Sequence, residues 1–362
     1  MLEEVDFMNK KRIRDYGISI GRLPTGIRNN IADVSSVLVG HSTIDSKENK
    51  TGVTVILPTS DNIFLNKMPA AIYVLNGFGK STGLIQIQEL GTLESPIALT
   101  NTFNVGLVQD ALVEYMIERC RQDGFLLKSF NPVVGECNDS VLNNITKRAV
   151  RQEHVFSAIE NAEKDFEQGD VGAGKGTVCF GLKGGIGSAS RVITLDGQGY
   201  TLGVLVQSNF GRIEDLTIQG FPIGTKIKKQ MDATESDKGS IISIVATDIP
   251  LSSRQIHRIL KRACIGLGRT GSYIGNGSGD IMIGFSTAYT LRMNRDAYFY
   301  PITILNDSKM DIVFRAVIEA EEEAILNSMI AADTVAGYTG KDCYSLQLYL
   351  EKYGTCICSK SL

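Results

Sequence analysis

The sequence predicts a layered α/β domain. Strand-like apolar runs and helix-like amphipathic stretches interleave along all 362 residues, without the regular spacing of βαβ units and without internal repeats. Glycine collects in short islands, and no linker divides the chain. With 43% hydrophobic residues, a chain of this length can bury a large core. We therefore expect a single domain that spans residues 1–362.

In the first half of the chain, short apolar runs bounded by Gly, Pro, Asn and Asp alternate with stretches of helical periodicity. The predicted strands here are AAIYVL at 70–75 and the apolar part of NPVVGECND at 131–139, which runs into a polar turn. The predicted helices are STGLIQIQEL at 81–90 and VQDALVEYMIERCRQ at 108–122.

The second half has the same pattern, with β-branched, glycine-punctuated strands within 172–195 and at 200–211, 240–247 and 281–288. Ser252 and Gln255 have capping-box spacing, which predicts that a helix begins there. A long helix is predicted over 310–332 from the spacing of its alanines and valines. Four acidic residues of this helix are expected to face solvent: Glu319, Glu321, Glu322 and Glu323.

Composition excludes several classes of protein. The net charge of −3 provides no basic surface for nucleic acid or for an anionic membrane. No apolar run reaches the ~18 residues of a membrane span, and the basic N-terminal stretch is not followed by the apolar segment of a signal peptide. The seven cysteines lack Cys-x-x-Cys spacing, so neither a zinc site nor a disulfide framework is indicated. We expect a soluble cytoplasmic protein.

Histidine chemistry is poorly supported by the sequence. The chain has three histidines, His41, His154 and His257, and none of them lies in a recognisable motif. If this protein is a hydrolase, its general base is expected to be a group other than histidine.

The junction between Gly239 and Ser240 is the most informative feature of the chain. Residues 225–238 are polar and lack apolar periodicity, which predicts a solvated loop, whereas Ser240 begins the buried strand SIISIVAT. Gly-Ser also occurs at Gly187, Gly271 and Gly277, so the dipeptide alone indicates no more than a turn. Cleavage before Ser240 would give it a free amine with a pKa near 8, able to act as general base for its own hydroxyl.

Three other segments contain the residue types that such a serine would need. Asn209 ends a predicted strand and could donate to an oxyanion, and Ser278 and Asp280 provide a hydroxyl and a carboxylate in a tight turn. A third polar group follows the VVG strand: Glu136, Asn138 and Asp139. Each segment taken alone also fits an ordinary structural role.

Taken together and in this order, the segments resemble the DmpA-type family, which comprises the L-aminopeptidase D-Ala-esterase/amidases and the β-peptidyl aminopeptidases. The segments that carry the resemblance are GVTVILP, NGFGKSTGL, ELGTLESPIALTNTFNVG, NPVVGECND, VCFGLKGGIGSASR, LGVLVQSNFG, GSIISIVATDIPL and RTGSYIGNGSGDIMIGFSTA. They extend from about residue 20 to beyond residue 290, so the resemblance covers most of the chain.

The resemblance implies a four-layer αββα sandwich, shared with ornithine acetyltransferases, and self-processing into an α chain of residues 1–239 and a β chain of residues 240–362. It implies that Ser240 is the nucleophile, that Ser278 and Asp280 orient it, and that Asn209 contributes to the oxyanion hole. Some family members have glutamate in place of Asp280. Others have a tyrosine near the VVGE segment, where this chain has none.

The function implied is a serine aminopeptidase or amidase that acts on small peptides, amino-acid amides or esters. It needs no metal or organic cofactor, and it works as a homo-oligomer of αβ units. Glu136, Asn138 and Asp139 are the candidate substrate-binding residues. Three alternatives stay open: an acyltransferase of the ornithine acetyltransferase type, which uses threonine at its junction, an endo-amidase, and an uncleaved binding protein on the same scaffold.

Overall fold

The computed structural model describes residues 10–230, 239–293 and 298–358. The strands are β1 Leu38–Asp45, β2 Lys50–Leu57, β3 Asn66–Gly77, β4 Thr92–Leu93, β5 Ile97–Asn101, β6 Val133–Cys137, β7 Val178–Cys179, β8 Leu182–Lys183, β9 Gly185–Leu195, β10 Gln198–Asn209, β11 Ser240–Thr247, β12 Gly279–Ser286, β13 Leu291–Arg292, β14 Val335–Ala336 and β15 Asp342–Cys343. The α-helices are α1 Leu84–Leu90, α2 Val105–Gln122, α3 Gln152–Glu160, α4 Ile223–Lys228, α5 Ser253–Arg269, α6 Met310–Ile330 and α7 Gln347–Cys358.

Two sheets contain the longer strands. The four-stranded sheet has the order β1-β2-β5-β6, and the larger sheet has the order β13-β3-β12-β11-β10-β9, with β4 paired to β3. The pairs β5–β6 and β11–β12 are parallel, and the other pairs within these two sheets are antiparallel. Strand β11 is therefore central, with a hydrogen-bonded neighbour on each side.

Three layers of apolar side chains separate four layers of secondary structure. Leu260 of α5 and Val317 of α6 pack on the outer face of the larger sheet. Leu99 and Ile244 lie between the two sheets. Leu112 of α2 packs on the outer face of the smaller sheet. The αββα sandwich expected from the sequence is thus confirmed, because each sheet buries one face against the other sheet and one against helices.

The burial of strand β11 agrees with the continuous apolar run in its sequence. All eight of its residues are buried, with Ile241 and Val245 in the helix-facing core and Ile242 and Ile244 in the core between the sheets. A strand buried on both faces needs a continuous apolar run rather than an alternating one. The same rule explains why the predicted strand 281–288 is confirmed as β12, whose eight residues are likewise buried.

The prediction that the acidic residues of α6 face solvent is wrong. All four are buried: Glu319, Glu321, Glu322 and Glu323. Arg191 of β9 is itself fully buried and forms ion pairs with Glu319 at 3.3 Å and with Glu323 at 2.7 Å. Glu321 accepts a hydrogen bond from the Ser243 hydroxyl at 2.5 Å. Buried charges and polar groups are tolerated only with such partners, and these come from distant strands that the local pattern of α6 does not reveal.

The polar stretch 225–238 is only partly as predicted. Residues 225–228 belong to helix α4, and Ile223 and Ile227 of this helix are buried in the helix-facing core. Two buried apolar residues four apart hold this short helix against the domain. Residues 231–238 lie outside the described part of the chain.

Among the helices of the described ranges, none is both long enough and apolar enough to cross a lipid bilayer.

Candidate active site

Ser240 lies where three strands of the larger sheet meet at one end. It is the first residue of β11 and pairs with Asn209 at the end of antiparallel β10 and with Gly279 at the start of parallel β12. The Ser240 hydroxyl accepts a hydrogen bond from the Gly279 backbone N–H at 3.2 Å, and only 6% of the residue is exposed. The register of the sheet therefore brings together Asn209, Ser240 and the turn around Gly279, which are far apart in sequence.

The turn before β12 holds the hydroxyl and the carboxylate that the sequence singled out. The Ser278 hydroxyl donates to a carboxylate oxygen of Asp280 at 2.6 Å, and both residues are buried. The side-chain amide of Asn76, at the end of β3, donates to the Ser278 carbonyl at 2.5 Å and to the Gly275 carbonyl at 3.1 Å. Asn76 thus fixes the turn, a role that sequence reasoning did not assign to the NGFG segment.

The side chain of Asn209 is oriented by the β7–β8 hairpin. The Val178 backbone N–H donates to the Asn209 amide oxygen at 2.9 Å, so the amide NH2 is the end of this side chain that can donate to a ligand. Phe180 and Gly181 form the two-residue turn of the hairpin with φ of 52° and 71°, the signs of a type I′ turn. The Phe180 ring packs edge-on against Phe210 with centroids 5.1 Å apart, which places the hairpin beside the end of β10.

Gly239 is held against β10. A Cβ atom at this position would lie 1.7 Å from the Asn209 carbonyl oxygen, far inside van der Waals contact. Only glycine therefore fits between the polar segment and β11 without moving the junction. The glycine that precedes Ser240 is thus required by packing.

A cavity of about 580 Å³ opens beside this junction. Asn209 and Gly239 line it, together with Asn138 from the smaller sheet. The side chains of Phe78 and Val141 are largely exposed and form an apolar part of its wall. None of the described lining residues carries a formal charge. The cavity is suited to an uncharged portion of a small substrate, and two of its lining residues, Asn209 and Gly239, are the strand partner and chain neighbour of Ser240.

The three predicted substrate-binding residues have different surroundings. Asn138 lines the cavity. Glu136 is buried, and its carboxylate accepts hydrogen bonds from the Lys80 backbone N–H at 3.0 Å and from the Thr102 hydroxyl. Asp139 is also buried and accepts from the Asn143 side chain at 2.9 Å, and burial raises its pKa to about 6. Of the three, only Asn138 is brought to the cavity wall.

Cys137 is a neighbour of Ser240 that sequence reasoning did not single out. Its thiol donates to the Ser240 carbonyl at 3.6 Å and to the Gln207 carbonyl at 3.5 Å, across the space between the two sheets. Burial raises the pKa of this thiol well above its ordinary value, so it stays neutral. It links the smaller sheet to the start of β11. Because one sequence does not show which strands face each other, no local signal could have indicated this contact.

The geometry of a serine at the start of a buried strand, beside a candidate oxyanion donor, agrees with the sequence comparisons. The model of peptidase family S58 matches residues 29–343. The chain belongs to peptidase family S58. The β-peptidyl aminopeptidase BapA of Sphingosinicella microcystinivorans is 37% identical, over 93% of this chain and 89% of the relative.

Solved structures agree with this assignment. A Pyrococcus horikoshii protein is 46% identical with a TM-score of 0.89, over 95% of this chain and 99% of the other. The L-aminopeptidase D-Ala-esterase/amidase of Ochrobactrum anthropi, a prototype of the serine aminopeptidases with a variant of the Ntn hydrolase fold, is 36% identical with a TM-score of 0.87 over the same shares. This member of family S58 is thus a peptidase. The predicted family and the predicted class, a self-processing N-terminal-nucleophile aminopeptidase or amidase, are confirmed.

Proposed function

We propose that this S58 peptidase cleaves itself between Gly239 and Ser240, and that the freed Ser240 is the nucleophile of an aminopeptidase acting on small peptides, amino-acid amides or esters. The observation that carries the proposal is the position of the Ser240 hydroxyl. It accepts a hydrogen bond from the Gly279 N–H, and the strand partner and chain neighbour of Ser240, Asn209 and Gly239, line a cavity. The products would be an α chain of residues 1–239 and a β chain of residues 240–362.

Self-cleavage uses the same hydroxyl as turnover. The Ser240 oxygen attacks the Gly239 carbonyl, the C–N bond breaks as its nitrogen takes up a proton, and an ester links the two chains. Water then hydrolyses this ester and leaves a carboxylate on Gly239 and an amine on Ser240. The hydrogen bond from Gly279 to the hydroxyl supports this chemistry because it stabilises negative charge that develops on the attacking oxygen.

In turnover, the Ser240 amine takes the hydroxyl proton as the oxygen attacks the substrate carbonyl, and it returns the proton to the departing amine or alcohol. The Asn209 NH2 group donates to the oxyanion, an orientation supported by the hydrogen bond that its amide oxygen accepts from Val178. Ser278 and Asp280 balance the charge of the protonated amine. Water hydrolyses the acyl-enzyme ester and restores the free serine.

The first test is the state of the purified protein. We expect it to separate on a denaturing gel into chains of 239 and 123 residues, and N-terminal sequencing of the smaller one should give Ser-Ile-Ile-Ser-Ile. The Ser240→Ala variant should stay intact and inactive, since alanine has no hydroxyl for either attack. A fully active protein that remains one chain would contradict the proposed cleavage, and an active alanine variant would place the nucleophile elsewhere.

The substrate should need a free amino terminus. The relatives are aminopeptidases, and of the two buried carboxylates near the site Glu136 is the better partner for an ammonium group. Its strand neighbour Cys137 contacts the Ser240 carbonyl. A panel of amino-acyl p-nitroanilides and their N-acetylated forms measures this directly. Equal hydrolysis of both forms would exclude an aminopeptidase and favour an endo-amidase.

We also propose a cytoplasmic enzyme that assembles as a homo-oligomer of αβ units. Buried thiols such as those of Cys120 and Cys137 suit a reducing compartment. Phe299 and Tyr298 are almost fully exposed, an arrangement that favours contact with another copy of the chain. Light scattering measures the mass of the purified protein in solution. A mass equal to one αβ unit would contradict the proposed homo-oligomer.

A further inference from the structure

Lys183 is a buried cation that the proposed mechanism does not use. None of its surface is exposed, and its ammonium group donates three hydrogen bonds to backbone carbonyls: Gly174 at 2.9 Å, Thr177 at 2.8 Å and Gly184 at 2.8 Å. An ammonium group has three donors and no acceptor, so all of its hydrogen-bonding capacity is used. A lysine is almost never fully buried unless its charge has such partners.

One of these three carbonyls leads directly to the oxyanion donor. The Thr177 carbonyl and the Val178 N–H belong to the same peptide group, and in a trans peptide they point in opposite directions. The carbonyl accepts from Lys183, while the N–H donates to the Asn209 amide oxygen at 2.9 Å. Lys183 also pairs with Val178 in the register of the β7–β8 hairpin. A buried positive charge is therefore connected to Asn209 through a single peptide group.

We propose that Lys183 is a positioning residue for the oxyanion hole, an inference that rests on the proposed role of Asn209. Its charge fixes and polarises the peptide group between Thr177 and Val178. The more polar N–H binds the Asn209 oxygen more strongly, which holds the NH2 end toward the oxyanion and makes it a stronger donor. Hydrogen bonds in a chain reinforce one another in this way in a poorly solvated interior. The effect operates in the transition state, where the oxyanion carries its charge.

The arrangement depends on the protonation of Lys183. Burial lowers the pKa of this lysine from 10.5 to about 8, and the charged groups that act on it are Cys343 and Asp170, which favour the charged form, and Lys175 and Lys10, which oppose it. As the pH rises through this pKa, the ammonium group loses one of its three donors and its charge. Turnover should then decrease on the basic side, while the Ser240 amine becomes competent on the acidic side. The rate constant kcat should therefore pass through a maximum near pH 8.

The test compares Lys183→Met with Lys175→Met between pH 6 and pH 10. Lys175 is a buried lysine that precedes the β7–β8 hairpin, but its ammonium group binds the carboxylates of Asp45 and Asp170. For Lys183→Met we expect kcat to fall about tenfold, less than the hundredfold or more lost with a direct oxyanion donor, with KM nearly unchanged. The basic limb of kcat should disappear in this variant, and it should persist in Lys175→Met.

A double-mutant cycle with Asn209→Ala separates positioning from general destabilisation. If Lys183 acts through Asn209, Lys183→Met should lower kcat in the wild-type background and cause no further loss in the Asn209→Ala background. Equal losses in both backgrounds, or a basic limb that persists without Lys183, would overturn the inference. For variants that cleave themselves slowly, the rate at which the precursor disappears is measured in the same four proteins and compared in the same way.

Two measurements keep the result interpretable. Melting temperatures of all variants show whether the fold is intact, and Lys183→Gln provides a second neutral side chain if Lys183→Met does not fold. A wild-type enzyme whose kcat shows no basic limb between pH 7 and pH 10 also overturns the inference. Wild-type protein that neither cleaves itself nor hydrolyses any aminoacyl substrate would instead overturn the proposed function.

Discussion

At the scale of single residues, the proposed chemistry depends on how Asp280 acts on the amine that cleavage would create on Ser240. The Ser240 amine must be neutral to accept the hydroxyl proton and positively charged to deliver it. Asp280 lies next to Gly279, which contacts the Ser240 hydroxyl, and it is hydrogen-bonded to Ser278. A nearby carboxylate favours the charged amine and so raises its pKa, whereas burial lowers that pKa. We therefore expect Asp280 to set the pH at which the base becomes active.

The Asp280→Asn variant tests this role, because it removes the charge and keeps the shape. We expect kcat to fall by about a hundredfold or more, the scale of lost acid–base assistance, and the acidic limb of the pH profile to move to lower pH. The matched control is Asp248→Asn, a half-buried carboxylate that follows the opposite end of β11. An unchanged rate and pH profile for Asp280→Asn would make this carboxylate a structural part of the turn.

At the scale of elements, the candidate site is assembled by the ends of strands and by one hairpin. Antiparallel β10 ends where parallel β11 and β12 begin, so Asn209, Ser240 and Gly279 are neighbours. The β7–β8 hairpin then fixes the side chain of Asn209. Elements of a rigid sheet hold such groups more firmly than loops do, which suits a site that must position its own scissile bond as well as a substrate.

Gly239→Ala should slow self-cleavage at least tenfold. A displacement of about 1 Å between reacting groups is enough to lower a reaction rate by that much or more. The added methyl group would lie 1.7 Å from the Asn209 carbonyl oxygen, so the junction has to move away from β10. Gly277→Ala is the matched control: Gly277 lines the same cavity, and a Cβ atom there would have no neighbour within 4 Å. The time course of precursor loss on a gel measures both variants. Equal rates would show that the junction tolerates the displacement.

At the scale of the whole molecule, the four layers exclude water from ionisable groups that would otherwise be solvated. Glu321 of α6 is fully buried under the larger sheet, and one of its oxygens accepts from Ser243 of β11. Burial raises the pKa of this carboxyl group from 4.5 to about 8. It is therefore predominantly protonated at neutral pH, unlike Glu323, whose pKa is lowered by Arg14 and Arg191 despite its burial.

This burial makes the stability of the domain depend on pH. Between pH 4.5 and pH 8 the unfolded chain loses the Glu321 proton and the folded chain keeps it, so the free energy of unfolding decreases by roughly 1.4 kcal/mol per pH unit from this group. Glu321→Gln, neutral at every pH, should gain in melting temperature relative to wild type as the pH rises from 5 to 9. The exposed Asp311→Asn on the same helix is the control. A difference in melting temperature between Glu321→Gln and wild type that stays constant from pH 5 to pH 9 would contradict the prediction.

The sequence alone determined the interleaving of strands and helices and the start of β11 at Ser240, because both depend on patterns within short segments. The continuous apolar run after Ser240 specifies a strand buried on both faces, and the capping box at Ser252 specifies the start of α5. It also determined the family, since the order of the motifs is a property of the chain itself. Ser240, Asn209 and the Ser278–Asp280 turn were therefore named without knowledge of the fold.

Only the tertiary structure decided which side chains meet across the sheets. The acidic face of α6 has the local pattern of a solvated surface, yet Arg191 and Ser243 on distant strands make its burial possible. In the same way, the connection from Lys183 through one peptide group to Asn209 depends on the register of a hairpin against the end of β10. Such contacts are set by strand pairing and desolvation over the whole domain, and no single segment of the sequence carries that information.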